Sequence, residues 1–342
     1  MSGEIISIMP DQNGAMAFPP RISVVTPTLR RPGEVAGLID NLGQQTVLPY
    51  ELVLIDGAPA EEQTTETVVH GRKDVPAFAC RYIRHGGGTA IQRNVGIDAA
   101  VGDFIAFVDD DIRLEADFFE QMIEVFAQDQ ENAIGGVAGY ITNQHLDPRT
   151  SVRWQWYRRL NLFTTYEPGR YDFETGYPIN RYLQPPHDGL RQIDFMGSNC
   201  AVWRRAVFGD NLRFSEFFRG FGVLEDAHLA LQAGRRWQLM ECGRARCIHL
   251  KSPGERDNHR RVARVSATNY RYVFVDIVPV RTWKQEFRFW RVQLFDLFRF
   301  LVVAMRSPQK NSWLSVLGKL EGLVAALRIW TTSDGDRLAD CA

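Results

Sequence analysis

The sequence predicts an α/β fold in which a mostly parallel central sheet is flanked by helices and followed by amphipathic C-terminal helices. Three features predict it. Apolar β-branched runs alternate with segments of helical spacing between Ile22 and Val108; each run stops at polar or acidic residues; and from Arg281 onward apolar residues recur at helical spacing.

Ile22 to Val25 is a short β-branched run closed by Thr26-Pro27-Thr28, the pattern of a buried strand ending in a loop. Glu34 to Gln45 carries Val35, Leu38, Ile39 and Leu42 at helical spacing, and Glu51 to Ile55 reads as the next strand, stopping at Asp56-Gly57. The unit repeats with a strand at Phe78 to Ile83, a helix at Ala90 to Ala100 and an apolar run, Phe104 to Val108, that ends at Asp109-Asp110-Asp111. Alternation of this kind implies a sheet covered on both faces, with ligands bound beyond the carboxyl ends of its strands. Thr26, Asp56 and Asp109 to Asp111 all fall at such ends, where one crevice could gather them. After about Tyr140 the chain is rich in aromatic residues set among Gly and Pro, including Trp154, Trp156, Tyr157, Tyr166, Tyr171, Tyr177 and Tyr182, and reads as an insertion that shapes a ligand site. Regular structure returns at Phe195 to Phe208 and in a helix over Glu225 to Ala233.

Composition excludes several classes. With 342 residues the chain can bury a sizeable core, and 40 Lys plus Arg against 41 Asp plus Glu leave no field that would draw it to nucleic acid. Five scattered cysteines form no disulfide framework and point to a reducing compartment. Cys242 and Cys247 lack a second pair at zinc-site spacing. Residues 1–20 have neither a basic n-region nor an apolar h-region, so a flexible leader is expected rather than a signal peptide. Gly86-Gly87-Gly88-Thr89 lacks the ending of a P-loop and reads as a turn.

Three consecutive aspartates after a buried strand concentrate negative charge that a divalent cation would relieve; Mg²⁺ or Mn²⁺ needs only one or two carboxylates and fills its shell with phosphate and water. The same residues read equally as a solvated turn capping a helix near Glu115. Glu225-Asp226 reads either as chemistry or as acids complementing a helix dipole. His249 reads as a metal ligand or as a structural residue.

Taken together, the pieces resemble the inverting glycosyltransferases of family 2, which share the nucleotide-binding GT-A fold. The resemblance rests on VVTPTLRRP (Val24 to Pro32), ELVLIDG (Glu51 to Gly57), GGGTAIQRNVGIDAAVGDFIAFVDDDI (Gly86 to Ile112), MGSNCAVWRRAVF (Met196 to Phe208), EDAHLAL (Glu225 to Leu231) and His249. It implies a metal-dependent transfer of a sugar from a nucleoside-diphosphate donor to a hydroxyl of a glycan or glycolipid. It implies a catalytic domain over 21–255, with a donor-binding part over about 21–140 and an acceptor part over about 141–255, followed by a helical region over 256–342. Donor contacts would come from Thr26, Pro27, Thr28, Asp56, Arg93, Asn94, Asp109 and Asp110. Metal would be held by Asp111 and His249. Asp226 would be the base, with Glu225 orienting it or the acceptor.

Two departures matter. Asp56 is followed by Gly57 rather than a second acid, which bears on base recognition. QAGRRW puts three residues between Gln232 and Arg236, one more than in the Gln-x-x-Arg-Trp motif of processive members, which favours single-sugar addition. Two other readings stay open: a non-catalytic sugar-nucleotide-binding or scaffold protein, and a sugar nucleotidyltransferase.

In the tail, a helical wheel collects Arg281, Lys284, Arg288, Arg291 and Arg299 on one arc and Phe287, Trp290, Leu294, Leu297 and Leu301 opposite. Leu317, Leu320, Val324 and Leu327 repeat the spacing within Leu314 to Trp330. The longest uncharged stretch, Phe300 to Met305, is too short to span a bilayer. Expected partners of residues 281–330 are therefore the catalytic domain, a second subunit or a membrane surface, and the expected location is cytoplasmic, peripheral to the inner face of the cell membrane.

Overall fold

A computed structural model describes residues 20–72, 77–220, 222–252 and 258–331, so the expected leader lies outside the described residues apart from Pro20. The first half alternates as its pattern requires: β1 (Ile22–Thr28), α1 (Pro32–Leu42), β2 (Glu51–Asp56), α2 (Thr64–Arg72), β3 (Ala79–Arg84), α3 (Thr89–Ala99) and β4 (Phe104–Val108). Helix α2 carries no sequence signal because only Thr65 and Val69 of its nine residues are buried. Then come β5 (Ile112–Leu114), α4 (Phe118–Gln128), β6 (Ile134–Ile141), α5 (Val152–Arg159), β7 (Tyr171–Asp172), β8 (Tyr177–Pro178), β9 (Leu190–Ile193) and β10 (Cys200–Arg204). The chain ends with α6 (Glu225–Ala233), β11 (Gln238–His249), α7 (His259–Ile277), α8 (Trp283–Arg306) and α9 (Lys310–Ala326).

Among the described residues, nine strands form one sheet in the order β3-β2-β1-β4-β10-β6-β11-β5, with β9 also on β11. Strands β1 to β4, β6 and β11 run one way; β5, β9 and β10 oppose them. Every residue of β1, β2 and β4 is buried, as a central strand covered on both faces demands. Val24 packs with α1 and α4, whereas its neighbour Val25 packs with α3, α6 and α7, so two apolar layers sandwich the sheet. Gly96 lets α3 lie close on this second face: a Cβ there would come within 2.9 Å of the Ile55 side chain and closer still to Val25. The expected helix cap at the aspartates does not form. Asp109 to Asp111 lead instead into β5, and α4 starts at Phe118.

The aromatic insertion also packs as a core of its own. Trp154, Tyr157, Phe163 and Tyr177 bury themselves against one another and against Val292 of α8, forming a third core that anchors the tail. The structure also gives the tail its orientation. Arg288 pairs with Glu174, Arg291 donates to the Asn161 and Leu162 carbonyls, and Arg299 meets Asp296, so the basic arc is turned toward the insertion. Phe287 and Leu294 are left facing solvent. Arg288 and Arg291 each find an oxygen in the insertion, although the buried Arg291 Nε is left without a partner among the described residues, and a wheel of a single helix cannot anticipate this.

Candidate active site

The parallel strands bring their carboxyl ends to one level: in register, Thr28 of β1 lies opposite Asp56 of β2. Thr26 is spent inside the sheet, its hydroxyl donating to the Val108 carbonyl at 2.8 Å. Pro27, opposite Ile55, continues the strand, and Thr28 donates to Asp110 at 2.6 Å. Asp56, fully buried, accepts from its own turn at Ala58 N–H and from the Tyr82 hydroxyl, both at 2.9 Å. Asn94 grips the backbone of Phe214 with both ends of its amide, at 2.8 and 2.9 Å. Thr26, Pro27, Asp56 and Asn94 thus stay with the scaffold, whereas Thr28, Arg93, Asp109 to Asp111, Glu225, Asp226 and His249 gather in two groups.

Arg93 is the hub of the first group. Buried on the first turns of α3, its guanidinium donates to Asp109 at 2.9 Å, to Asp226 at 3.1 Å and to Glu225 at 3.4 Å. One cation therefore joins the end of β4 to the start of α6. Two backbone features set this meeting. Gly88, at φ +89°, leads α3 past Gly220 so closely that an added Cβ would sit 2.7 Å from the Gly220 nitrogen. Leu224, at φ 72°, adopts the left-handed conformation just before Glu225, a strained setting for a bulky residue and one that recurs at functional sites. The two acids at this corner differ in access: the Asp226 side chain keeps 26% of its surface exposed and that of Glu225 only 10%.

A second group forms around Asp111. His249 Nε2 stands 3.2 Å from its carboxylate, and Ser252 N–H donates to it at 3.2 Å. This contact follows from register, because β5 runs antiparallel to β11 with Ile112 opposite His249. Gln144 approaches His249 Nδ1 at 2.6 Å and fixes the ring. Arg31 reaches both Asp110 (2.9 Å) and Asp111 (3.4 Å). Arg31, Gln144 and Ser252 were not singled out from sequence. Arg31, placed just after the first strand end within LRRP, was open to notice; the other two are polar loop residues with no distinguishing pattern.

Burial pushes Asp110 up to about 6 against the pull of Thr28 and Arg31. It raises Asp109 too, helped by the like charge of Asp226 and opposed by Arg93. Burial, then the Asp226 charge, lifts Glu225 to about 7. At Asp111 burial is outweighed by the hydrogen bond and charge of His249 and by Arg31, and its carboxyl is held below the usual range. Acids with divergent proton affinities at one cleft are what acid–base and cation chemistry use.

The fold is that of the GT-A glycosyltransferases. With a TM-score of 0.53 and 15% identity, 95% of this chain superposes on 80% of the mannosyltransferase PcManGT from Pyrobaculum calidifontis, a structure in complex with GDP-Man and Mn²⁺. The family model described as Glycosyl transferase family 2 matches residues 23–207, more than half of the chain. The chain belongs to that family. It is 31% identical over 190 residues to an uncharacterized glycosyltransferase of Bacillus subtilis (strain 168), YwdF, covering 54% of this chain and 65% of that one. Over 109 residues it is 29% identical to an uncharacterized glycosyltransferase of Haemophilus influenzae (strain ATCC 51907 / DSM 11121 / KW20 / Rd), covering 31% and 35%. The matches thus span between about a third and two thirds of those relatives' lengths.

Proposed function

We propose that this protein is a glycosyltransferase that moves a sugar from a nucleoside-diphosphate donor to a hydroxyl of a glycan or glycolipid, with inversion at the anomeric carbon and with the help of Mg²⁺ or Mn²⁺. The observation that carries this reading is the Arg93 hub, which holds the donor-side Asp109 and the acceptor-side Glu225-Asp226 at one point. In-line displacement needs one base on the face opposite the departing diphosphate. Asp226 suits that role because its side chain, unlike that of Glu225, keeps about a quarter of its surface exposed. Glu225, deeper and near Thr89 at 3.4 Å, is placed to orient the base rather than to meet the acceptor.

Among the described residues, no three His, Cys, Asp or Glu side chains gather as a closed metal cage would. The donor set nonetheless fits a cation shared with a diphosphate, which takes only one or two protein ligands and leaves the rest to phosphate and water. Asp111, held ionised, and His249 would hold it, with Gln144 orienting the imidazole from behind. When bound, the metal supplies Lewis-acid relief of the charge on the leaving group. The protein's own part is to keep Asp109 on the donor side through Arg93, hold Asp110 against Thr28 and Arg31, and present Asp226 to the acceptor proton. Asp56, at the end of β2, would contact the nucleotide base once the Tyr82 hydroxyl that now occupies its Oδ2 swings aside. Gln232 bonds Asp276 at 3.0 Å and Arg236 pairs with Asp210 at the surface. The altered spacing between these two residues favours single-sugar addition.

The test is a panel of UDP-, GDP- and dTDP-sugars incubated with the protein and Mg²⁺ or Mn²⁺, reading release of nucleoside diphosphate. Slow release from one donor, abolished by EDTA and restored by the metal, is expected. Binding and turnover of none of them would overturn the donor reading.

A further inference from the structure

We propose that the α8–α9 hairpin is a docking face for an anionic lipid surface, with both helices lying along the headgroup layer. Each helix keeps an apolar stripe out of the core: Phe287, Leu294 and Phe298 on α8, and Leu317, Leu320 and Val324 on α9, all exposed, Phe287 by 62%. A single exposed apolar side chain needs no account, but a stripe at helical spacing on each of two helices in contact does. The helices are held together by the buried Lys319 amine, which donates to Gln293 at 2.7 Å. Exposed tryptophans mark both ends. Trp283 and Trp330 share one end, where Arg281 donates to the Trp330 carbonyl at 2.9 Å, and Trp313 stands at the other. Indole rings suit the boundary between hydrocarbon and water.

Charge selects the occupant. The acids of the hairpin are all engaged: Glu286 by Arg271 and Arg281, Asp296 by the Tyr157 hydroxyl and Glu321 by Arg260. The exposed charges that make no ion pair among the described residues are basic, Lys284 and Arg328 at one end and Arg306 and Lys310 at the other. A second copy of the chain docking on this face would bring basic ends together in either direction, which an isologous contact has to avoid. A leaflet of anionic lipid supplies both an apolar layer and negative headgroups. No helix among the described residues is long and apolar enough to cross a membrane, so the contact lies in the plane.

The hairpin also sits beside the candidate active site. Gly318 and Gly322 of α9 pack against the Arg260 and Arg264 carbonyls of α7, and Arg261 lies against Gly220, whose N–H donates to Gly87 just ahead of α3 at 2.8 Å. Docking would bring the cleft close to a lipid-borne acceptor, although the docking face itself stands without the proposed reaction.

Flotation of the full chain with vesicles tests it, comparing phosphatidylcholine alone with phosphatidylcholine carrying about one third phosphatidylglycerol. The expected result is at least about tenfold more protein on the anionic vesicles, an excess that falls as salt shortens the Debye length. The pairs Phe287→Glu with Leu294→Glu, and Leu320→Glu with Val324→Glu, should each abolish it. Lys284→Glu with Arg328→Glu should remove the preference for anionic lipid, and this pair carries the test if either apolar pair fails to show a wild-type melting profile. Absence of flotation at low salt, or flotation that all folded variants retain, overturns the proposal. So does a sedimenting dimer that the apolar pairs dissolve, which would assign the face to a second copy.

Discussion

Arg93 and Asp226, 133 residues apart in the chain, meet at 3.1 Å. Because the same buried guanidinium also serves Asp109 and Glu225, it neutralises carboxylates that would otherwise repel one another across the cleft. Arg93→Met should therefore lower stability by about 3–5 kcal/mol, the usual consequence of removing one partner from a buried charge network. Adding Glu225→Gln should restore part of the loss, which urea midpoints in a double-mutant cycle will read as coupling. Additive losses would mean that the hub does not hold the two acids as a unit.

The two metal-and-base assignments separate kinetically. Asp226→Asn keeps the shape of the side chain and removes its ability to take a proton, so kcat should fall by about 10²–10⁴-fold while donor affinity stays near that of the wild type. Asp111→Ala should instead weaken donor binding in Mn²⁺ and leave metal-free binding unchanged. Gln144→Ala, acting on His249 from behind, should cost about 10–100-fold in metal affinity. Calorimetric titration of donor with and without metal distinguishes these cases. The reverse pattern would exchange the roles.

Gly96 links packing to the site. A methyl group there would press into Val25 and Ile55 and lift α3 from the sheet, moving Arg93 one turn earlier on the same helix. Gly96→Ala should cost about 1–3 kcal/mol, as overpacking does, and should also lower kcat. A stability loss with kcat unchanged would show that the hub tolerates movement of α3.

The alternation of β1 to β4 with α1 and α3 was readable because central strands are apolar throughout and their helices keep one stripe. The position of Asp56 and of Asp109 to Asp111 at strand ends was readable because each closes an apolar run. Other features depend on contacts between distant segments. The approach of His249 to Asp111 was implied only by the family resemblance, because the strand that sets it has three residues and leaves no pattern. Asn94, beside Arg93 in sequence, turns to the Phe214 backbone instead of the cleft. In the tail, spacing revealed the stripes but not which way they face, since Glu174 and the Asn161 carbonyl, which draw the basic arc inward, belong to the insertion.

Glu225 should leave a signature in the pH dependence of stability. Its proton affinity is raised from the ordinary 4.5 to about 7, by burial first and by the Asp226 charge second. The folded state therefore binds more protons than the unfolded chain between those two values, and stability falls as pH rises through that window. Below the window the contribution is fully present; above it, the cost of the ionised side chain reaches at most about 3 kcal/mol. Glu225→Gln mimics the protonated form and cannot ionise. Relative to the wild type, the variant should gain stability progressively between about pH 5 and pH 8 and hold that gain above. Urea midpoints of both proteins across this range read the difference directly. A difference that stays constant with pH would show that Arg93 already compensates the Glu225 charge in full.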